Sequence, residues 1–138
     1  MGINHRRGVL VLLSLVATFV IMRIFLHNFP GTNLDIGQYN IHHLFTGLLL
    51  LTVSGLPLIV IQGNHRILDL AALVFGAGLS MALDEWVYLI ATDGSDSAYL
   101  LPVSIIGATI VILATLVYGL LILVLGKKLV RGSNPPEV

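Results

Sequence analysis

Four long apolar segments, separated by short polar connections, constrain this chain more than any other feature. They cover about residues 9–27, 41–61, 67–91 and 99–125, and a helix that crosses a bilayer needs about 20 mostly apolar residues. A segment in hydrocarbon must satisfy its backbone hydrogen bonds internally, so each is predicted to be an α-helix. The chain is therefore predicted to be all-α: a single membrane domain, residues 1–138, that forms an integral membrane four-helix bundle.

The composition excludes several classes of function. Of the 138 residues, 57% are hydrophobic and only 10% are charged, whereas soluble domains carry about 25% charged residues. The net charge is zero, so nothing indicates a nucleic-acid partner, and the expected partner is the lipid bilayer. The absence of cysteine excludes disulfides, thiolate metal sites and iron–sulfur clusters. The first segment is longer than the apolar region of a signal peptide, about 7–15 residues, and is predicted to be a retained helix.

The basic residues predict the orientation of the bundle. All except Arg23 fall at the N-terminus, between the second and third segments, or at the C-terminus. The positive-inside rule makes that side cytoplasmic, so both termini are predicted to be cytoplasmic and the other two connections to face outward. The residues concerned are Arg6, Arg7, Arg66, Lys127, Lys128 and Arg131.

Two pairs of ionisable residues interrupt the apolar segments. His42 and His43 begin the second segment, and Asp84 and Glu85 lie near the outer end of the third. Each is costly in hydrocarbon unless it is paired, neutralised or bound to a metal. Two histidines facing two carboxylates at one depth suit a divalent transition metal, namely Zn, Fe or Mn. These four residues are therefore the predicted metal ligands, with Asp35 of the first outer connection as a further one.

Residues near this predicted site extend it. His27 is predicted to be an additional ligand. Arg23, four residues earlier on the same helix face, is predicted to contact a lipid phosphate or a metal ligand. The small residues Gly76 and Ser80 precede Asp84 and Tyr88 at intervals of four. This stripe predicts close helix packing that points Asp84 into the bundle, with Tyr88 supporting the site. Adjacent helical residues project about 100° apart, so neither pair is expected to bind one centre symmetrically.

The same residues have simpler interpretations. The histidines suit an ordinary membrane interface, the carboxylates suit an ion pair with Arg23 or a histidine, and Arg23 by itself would extend to the interface. Asp69 is expected to form a local ion pair with nearby Arg66 or to cap the third helix. The aromatic residues near the outer surface suit an interfacial belt: Trp86, Tyr88 and Tyr99.

Three sequence stretches resemble a family of small, uncharacterised bacterial four-span integral membrane proteins. They are residues 34–37 (LDIG), 41–47 (IHHLFTG) and 76–86 (GAGLSMALDEW). The family has an Arg in its first span, an Asp-x-Gly connection, His-His in its second span and Asp-Glu in its third. An aromatic pair expected after the third span is replaced here by residues 95–99. The resemblance implies a bacterial inner membrane and one combined site, but no activity. The matching positions are Arg23, Asp35, His42, His43, Gly47, Asp84 and Glu85.

Three functions are compatible with these patterns. The first is a metal-binding membrane protein with its site in the outer half of the bilayer, either a metal-dependent enzyme acting on a lipid or another interfacial substrate, or a protein without catalysis. The second is a proton or cation transport component. The third is a structural or partner-binding subunit without a metal. The small-residue stripes are also compatible with a homo-oligomer. The sequence leaves the metal, the substrate and the stoichiometry open.

Overall fold

A computed structural model of the chain describes residues 3–29, 32, 35–36 and 39–132, without the side chains of residues 35, 36, 39, 40, 96 and 127–132. Four helices dominate it: α1 (His5–Asn28), α2 (His43–Val60), α3 (His65–Ala91) and α4 (Pro102–Gly132). A short 3₁₀ helix, Asp96–Leu100, precedes α4. In the connection between α1 and α2, strands β1 (Asp35–Ile36) and β2 (Tyr39–Asn40) form an antiparallel ladder.

All four helices are long and apolar enough to cross a membrane, which confirms the predicted all-α class and the number of candidate spans. Two helices begin at other residues than predicted, because a capping side chain or a proline sets the start. The Asn4 side chain accepts a hydrogen bond from the Arg7 backbone N–H at 3.1 Å, and this cap starts α1 before the apolar run. Pro102 begins α4, since proline suits the first helical position. Residue 99, the predicted start of the fourth span, therefore lies in the 3₁₀ helix.

Helix α3 is the centre of the bundle and packs against α1, α2 and α4. Glycines bring the backbones close: a Cβ atom added at Gly47 of α2 would lie 2.6 Å from the Gly78 carbonyl oxygen of α3. On another side of α3, a Cβ at Gly76 would collide with the Val11 carbonyl of α1. The predicted small-residue packing at Gly76 is thus confirmed, and Gly47 allows the same close approach of α2.

The start of α1, the start of α3 and the end of α4 share one end of the bundle, here named the terminal end. Gly8 of α1 lies against Leu123 of α4. Asp69 of α3 forms an ion pair with Arg6, with 2.8 Å between Asp69 Oδ2 and Arg6 Nη2. Its Oδ1 lies 3.6 Å from Arg7 Nε. The predicted pairing of Asp69 with Arg66 is therefore wrong, because the start of α1 brings two other arginines to the same carboxylate.

The outward faces of α1, α2 and α4 are apolar. Leu13, Leu49, Ile59 and Ile110 each expose 60% or more of their surface. Contiguous apolar surface of this extent is unusual for a protein in water and is the surface that hydrocarbon would cover. The buried polar side chains of the spans lie between the helices, and two of them, Asp84 and Glu85, belong to the candidate site.

Candidate functional site

One stripe of α3 faces the interior over several turns. Gly76, Ser80, Asp84 and Tyr88 are all buried, as their spacing of four residues predicts. This confirms the predicted inward direction of Asp84. The stripe ends at the opposite end of the bundle from the terminal end, where α1, α2 and the 3₁₀ helix also bring polar groups.

Asp84 is paired with Arg23 of α1. The Arg23 Nε donates to Asp84 Oδ1 at 2.7 Å, and Nη2 lies 2.6 Å from the same oxygen. The other carboxylate oxygen, Oδ2, accepts a hydrogen bond from the Tyr99 hydroxyl. Both oxygens of Asp84 are thus occupied by neighbouring side chains, so the ion-pair interpretation holds for this carboxylate.

The Arg23 guanidinium is enclosed by further contacts. It donates to the Tyr99 carbonyl oxygen at 3.2 Å and to Ser104 Oγ at 3.4 Å. Its Cζ lies 4.3 Å from the centre of the Tyr99 ring, within the range of a cation–π interaction. Arg23 therefore points into the bundle, and the expectation that it extends to the interface is wrong.

Glu85 faces α2 and is 2% exposed. Its Oε1 lies 2.8 Å from His43 Nδ1 and 3.6 Å from His42 Nδ1. Its Oε2 accepts the Leu44 backbone N–H at 2.7 Å. Since the first N–H groups of a helix lack intrahelical partners, this carboxylate caps α2 from the neighbouring helix. His42 is the residue that precedes α2, and His43 is its first residue.

The two adjacent carboxylates therefore serve different neighbours. Asp84 faces Arg23 of α1, whereas Glu85 faces His42 and His43 of α2. Side chains one residue apart on a helix diverge by about 100°, which places α1 and α2 on the two sides of α3. The four predicted metal ligands are thus divided, with only Glu85 beside the two histidines.

The remaining predicted site residues are placed differently. Tyr88 is buried, donates to the Ser95 carbonyl oxygen at 3.0 Å, and has its ring centre 6.1 Å from that of His42, which places it next to the site. His27 is exposed near the end of α1. The side chain of Asp35 lies outside the described residues. The interfacial-belt expectation is wrong for Tyr88 and Tyr99, which are 2% and 7% exposed.

Sequence reasoning missed the role of Tyr99, which joins the two halves of the site. Its hydroxyl contacts Asp84, its ring stands edge-on to Tyr88 at 5.4 Å, and its centre lies 6.2 Å from that of the His43 ring. Burial, followed by the nearby Asp84 carboxylate, raises the pKa of Tyr99 above its ordinary value. No sequence signal marked this contact, because Tyr99 reaches Asp84 only through the turn between α3 and α4.

A cleft of about 330 Å³ lies beside this site, between α1 and α4. Arg23 and His27 of α1 line it, and Ile105 of α4 lines it from the facing helix. The lining is otherwise mostly apolar. Arg23 thus contacts Asp84 and also borders this cleft.

Among the residues described, no three or more His, Asp or Glu side chains are already grouped so as to hold a metal ion. The nearest arrangement is that of His42, His43 and Glu85, in which two imidazole nitrogens face one carboxylate oxygen. Imidazole and carboxylate are common transition-metal ligands. His42, His43 and Glu85 therefore supply suitable metal ligands, whereas Asp84 is already paired with Arg23.

No protein-family model matches this sequence, and no curated protein or solved structure matches it either. The resemblance to a family of bacterial membrane proteins therefore stays a prediction.

Proposed function

We propose that this chain is a membrane protein that binds a divalent transition metal, Zn, Fe or Mn, through His42, His43 and Glu85. The observation that carries the proposal is that the Nδ1 atoms of both histidines face Glu85 Oε1, at 2.8 and 3.6 Å. Two histidines and one carboxylate are a ligand set of known transition-metal sites. Glu85 is already removed from solvent, so metal binding would add no further desolvation of that group.

The distances suit this ligand set after a small adjustment. Two donors on one tetrahedral metal stand roughly 3.3 Å apart, given bonds of about 2.0–2.2 Å. The two observed separations lie on either side of this value. His42 precedes the helix and makes no side-chain cap, so its ring can turn toward Glu85. Asp35, which belongs to the connection before α2, or water would complete the coordination.

A metal at this position would be able to take part in a reaction. With an open coordination position it would activate water or polarise an oxygen atom, and a substrate would come from a lipid or another interfacial molecule. In this proposal Asp84 and Arg23 position α1 against α3 and are not ligands. The positive-inside pattern and the family resemblance favour a bacterial inner membrane with the termini cytoplasmic and the site in the outer half.

Elemental analysis by mass spectrometry tests the metal directly. The full chain is purified in detergent without a chelator or a metal-affinity resin. We expect about one Zn, Fe or Mn per site in the wild type and loss of the metal in His43→Ala and Glu85→Gln. His27→Ala, at an exposed histidine on α1, is the matched control and should keep the metal. A folded wild type without metal, or full metal in Glu85→Gln, would contradict the proposal.

Proton or cation transport is the second candidate, and one observation favours it. Ser80 lies one turn from Asp84 toward the terminal end, and its buried hydroxyl has no hydrogen-bond partner among the described residues. A buried hydroxyl of this kind is a place where water could bridge polar groups. Proteoliposomes with an internal pH dye test it: a proton flux abolished by Glu85→Gln would support transport, and no flux above empty vesicles would exclude it.

The structural alternative also has a specific basis. Glu85 caps the start of α2 through the Leu44 N–H, a role that needs no metal. In this case Glu85→Gln would keep the fold and the wild type would carry no metal, so the elemental analysis separates it from the first proposal.

A further inference from the structure

The cleft between α1 and α4 is lined by both polar and apolar side chains. Close contacts between the two helices occur toward the terminal end, where Gly8 faces Leu123 and Gly119 faces Leu12. Farther along, the space between the helices opens into the cleft of about 330 Å³. The residues that line it include Phe19, Arg23, Ile24, His27, Ile105 and Thr109.

The wall of the cleft formed by α1 changes in polarity along the helix. Phe19, Arg23 and His27 follow one another at intervals of four on α1, so they occupy successive turns. Phe19 lies deepest in the predicted span and His27 lies near the end of the helix, where Asn28 also lines the cleft. On the α1 wall, Arg23 and His27 therefore lie nearer the bilayer surface than Phe19. On the α4 wall, Ile105 follows Ser104, which contacts Arg23, and Thr109 lies one turn deeper.

Arg23 has donor capacity left for a ligand. A guanidinium carries five N–H donors. The contacts with Asp84, the Tyr99 carbonyl and Ser104 account for Nε, for one N–H of Nη1 and for both N–H groups of Nη2. The second N–H of Nη1 remains, and the guanidinium also lines the cleft. Asp84 holds the charge in place from behind, so the group is positioned before any ligand arrives.

We propose that this cleft binds a membrane phospholipid, with the phosphate near Arg23 and His27 and the start of one acyl chain along Phe19 and Ile105. Two features indicate a phospholipid. A cleft between two lipid-facing helices would be filled by molecules of the bilayer, and an arginine favours phosphate oxygens. The volume lies at the lower end of ligand pockets, about 300–1,000 Å³, so it suits part of a lipid rather than the whole molecule.

The phospholipid cleft is separate from the proposed metal site, and its occupancy does not require a metal. The cleft lies on the α1 side of α3, whereas the histidines and Glu85 lie on the α2 side. Binding should therefore persist in protein stripped of metal. If both proposals hold, the Arg23–Asp84 pair separates a phospholipid from a metal by the width of one helix.

Native mass spectrometry of the full chain in detergent tests the proposal. Three probes are titrated: phosphatidylglycerol, a diacylglycerol with the same acyl chains, and inorganic phosphate. We expect a 1:1 adduct with phosphatidylglycerol. The Kd values for diacylglycerol and for inorganic phosphate should be at least about ten times larger. If diacylglycerol binds as tightly as phosphatidylglycerol, the cleft is only an apolar groove. If inorganic phosphate binds as tightly, the cleft is only an anion site. Either result would overturn the proposal.

Matched variants locate the adduct. Ile105→Trp places a larger side chain in the cleft, whereas Ile106→Trp changes the next residue of α4, which is 59% exposed. We expect about tenfold weaker phosphatidylglycerol binding in Ile105→Trp and unchanged binding in Ile106→Trp. Thr109→Trp repeats the test one turn away if Ile105→Trp does not fold. The same affinity in all variants would overturn the assignment.

Discussion

Arg23 of α1 and Asp84 of α3 form an ion pair within the bundle, with 2.6 Å between Arg23 Nη2 and Asp84 Oδ1. The side chains are only 12% and 4% exposed. The Tyr99 hydroxyl and ring add a hydrogen bond to Asp84 and a cation–π contact to Arg23. This pair links two helices that are 61 residues apart at the contact and thereby fixes how α1 lies against α3.

Removing either member should destabilise the fold strongly. Asp84→Asn and Arg23→Gln each leave one enclosed group unpaired, which costs about 3–5 kcal/mol. The double variant should lose less than the sum of the two, because the pair interaction can be lost only once. Unfolding of the detergent-solubilised protein provides the measurement. Arg6→Gln, whose side chain is 75% exposed in its pair with Asp69, should cost at most about 1 kcal/mol. Additive effects at Arg23 and Asp84 would show that the two do not interact.

Gly47→Ala should loosen the packing of α2 on α3. The added methyl group would lie 2.6 Å from the Gly78 carbonyl oxygen, so the backbones must separate, at a cost of about 1–3 kcal/mol. Gly55→Ala is the control on the same helix. Its methyl group would lie 3.6 Å from the Phe75 ring, an ordinary contact, so the variant should be neutral or gain up to about 1 kcal/mol in helix propensity. Thermal unfolding of the two variants side by side is decisive, and equal stability would refute the close approach.

Tyr99 should ionise later than an exposed tyrosine. Burial and the Asp84 carboxylate raise its pKa. The ionised form is therefore disfavoured in the folded state, and the resulting stabilisation is complete below the ordinary tyrosine pKa of about 10. It is lost as the pH rises through the higher folded-state pKa. Near-ultraviolet absorbance should show one late tyrosinate component that disappears in Tyr99→Phe. A titration with the same late component in that variant would contradict the assignment.

Ser80→Ala should be neutral or stabilising. The Ser80 hydroxyl is buried without a hydrogen-bond partner within the described part of the chain, and an unsatisfied buried polar group costs about 1–3 kcal/mol. Ser54→Ala is a matched control, because the buried Ser54 hydroxyl donates to the Leu50 carbonyl oxygen and its loss should not stabilise. Chemical unfolding in detergent compares the two. Marked destabilisation by Ser80→Ala would indicate that a bound water or ligand satisfies this hydroxyl.

The sequence determined the elements and the inward face of α3. A long apolar run in hydrocarbon satisfies its backbone hydrogen bonds within the same segment when it is a helix. The interval of four from Gly76 to Tyr88 places these residues on one face of that helix. The helix bounds were less predictable, because caps such as Asn4 and Pro102 act locally against the hydropathy pattern.

The tertiary structure decided which partner each ionisable residue has. Asp84 and Glu85 are neighbours in sequence, yet they face α1 and α2 respectively, because the packing of three helices assigns each direction around α3 to a different neighbour. Tyr99 reaches Asp84 only because the turn between α3 and α4 returns it to the bundle. Hydropathy and spacing describe one helix at a time, whereas a buried charge takes its partner from whichever helix lies opposite.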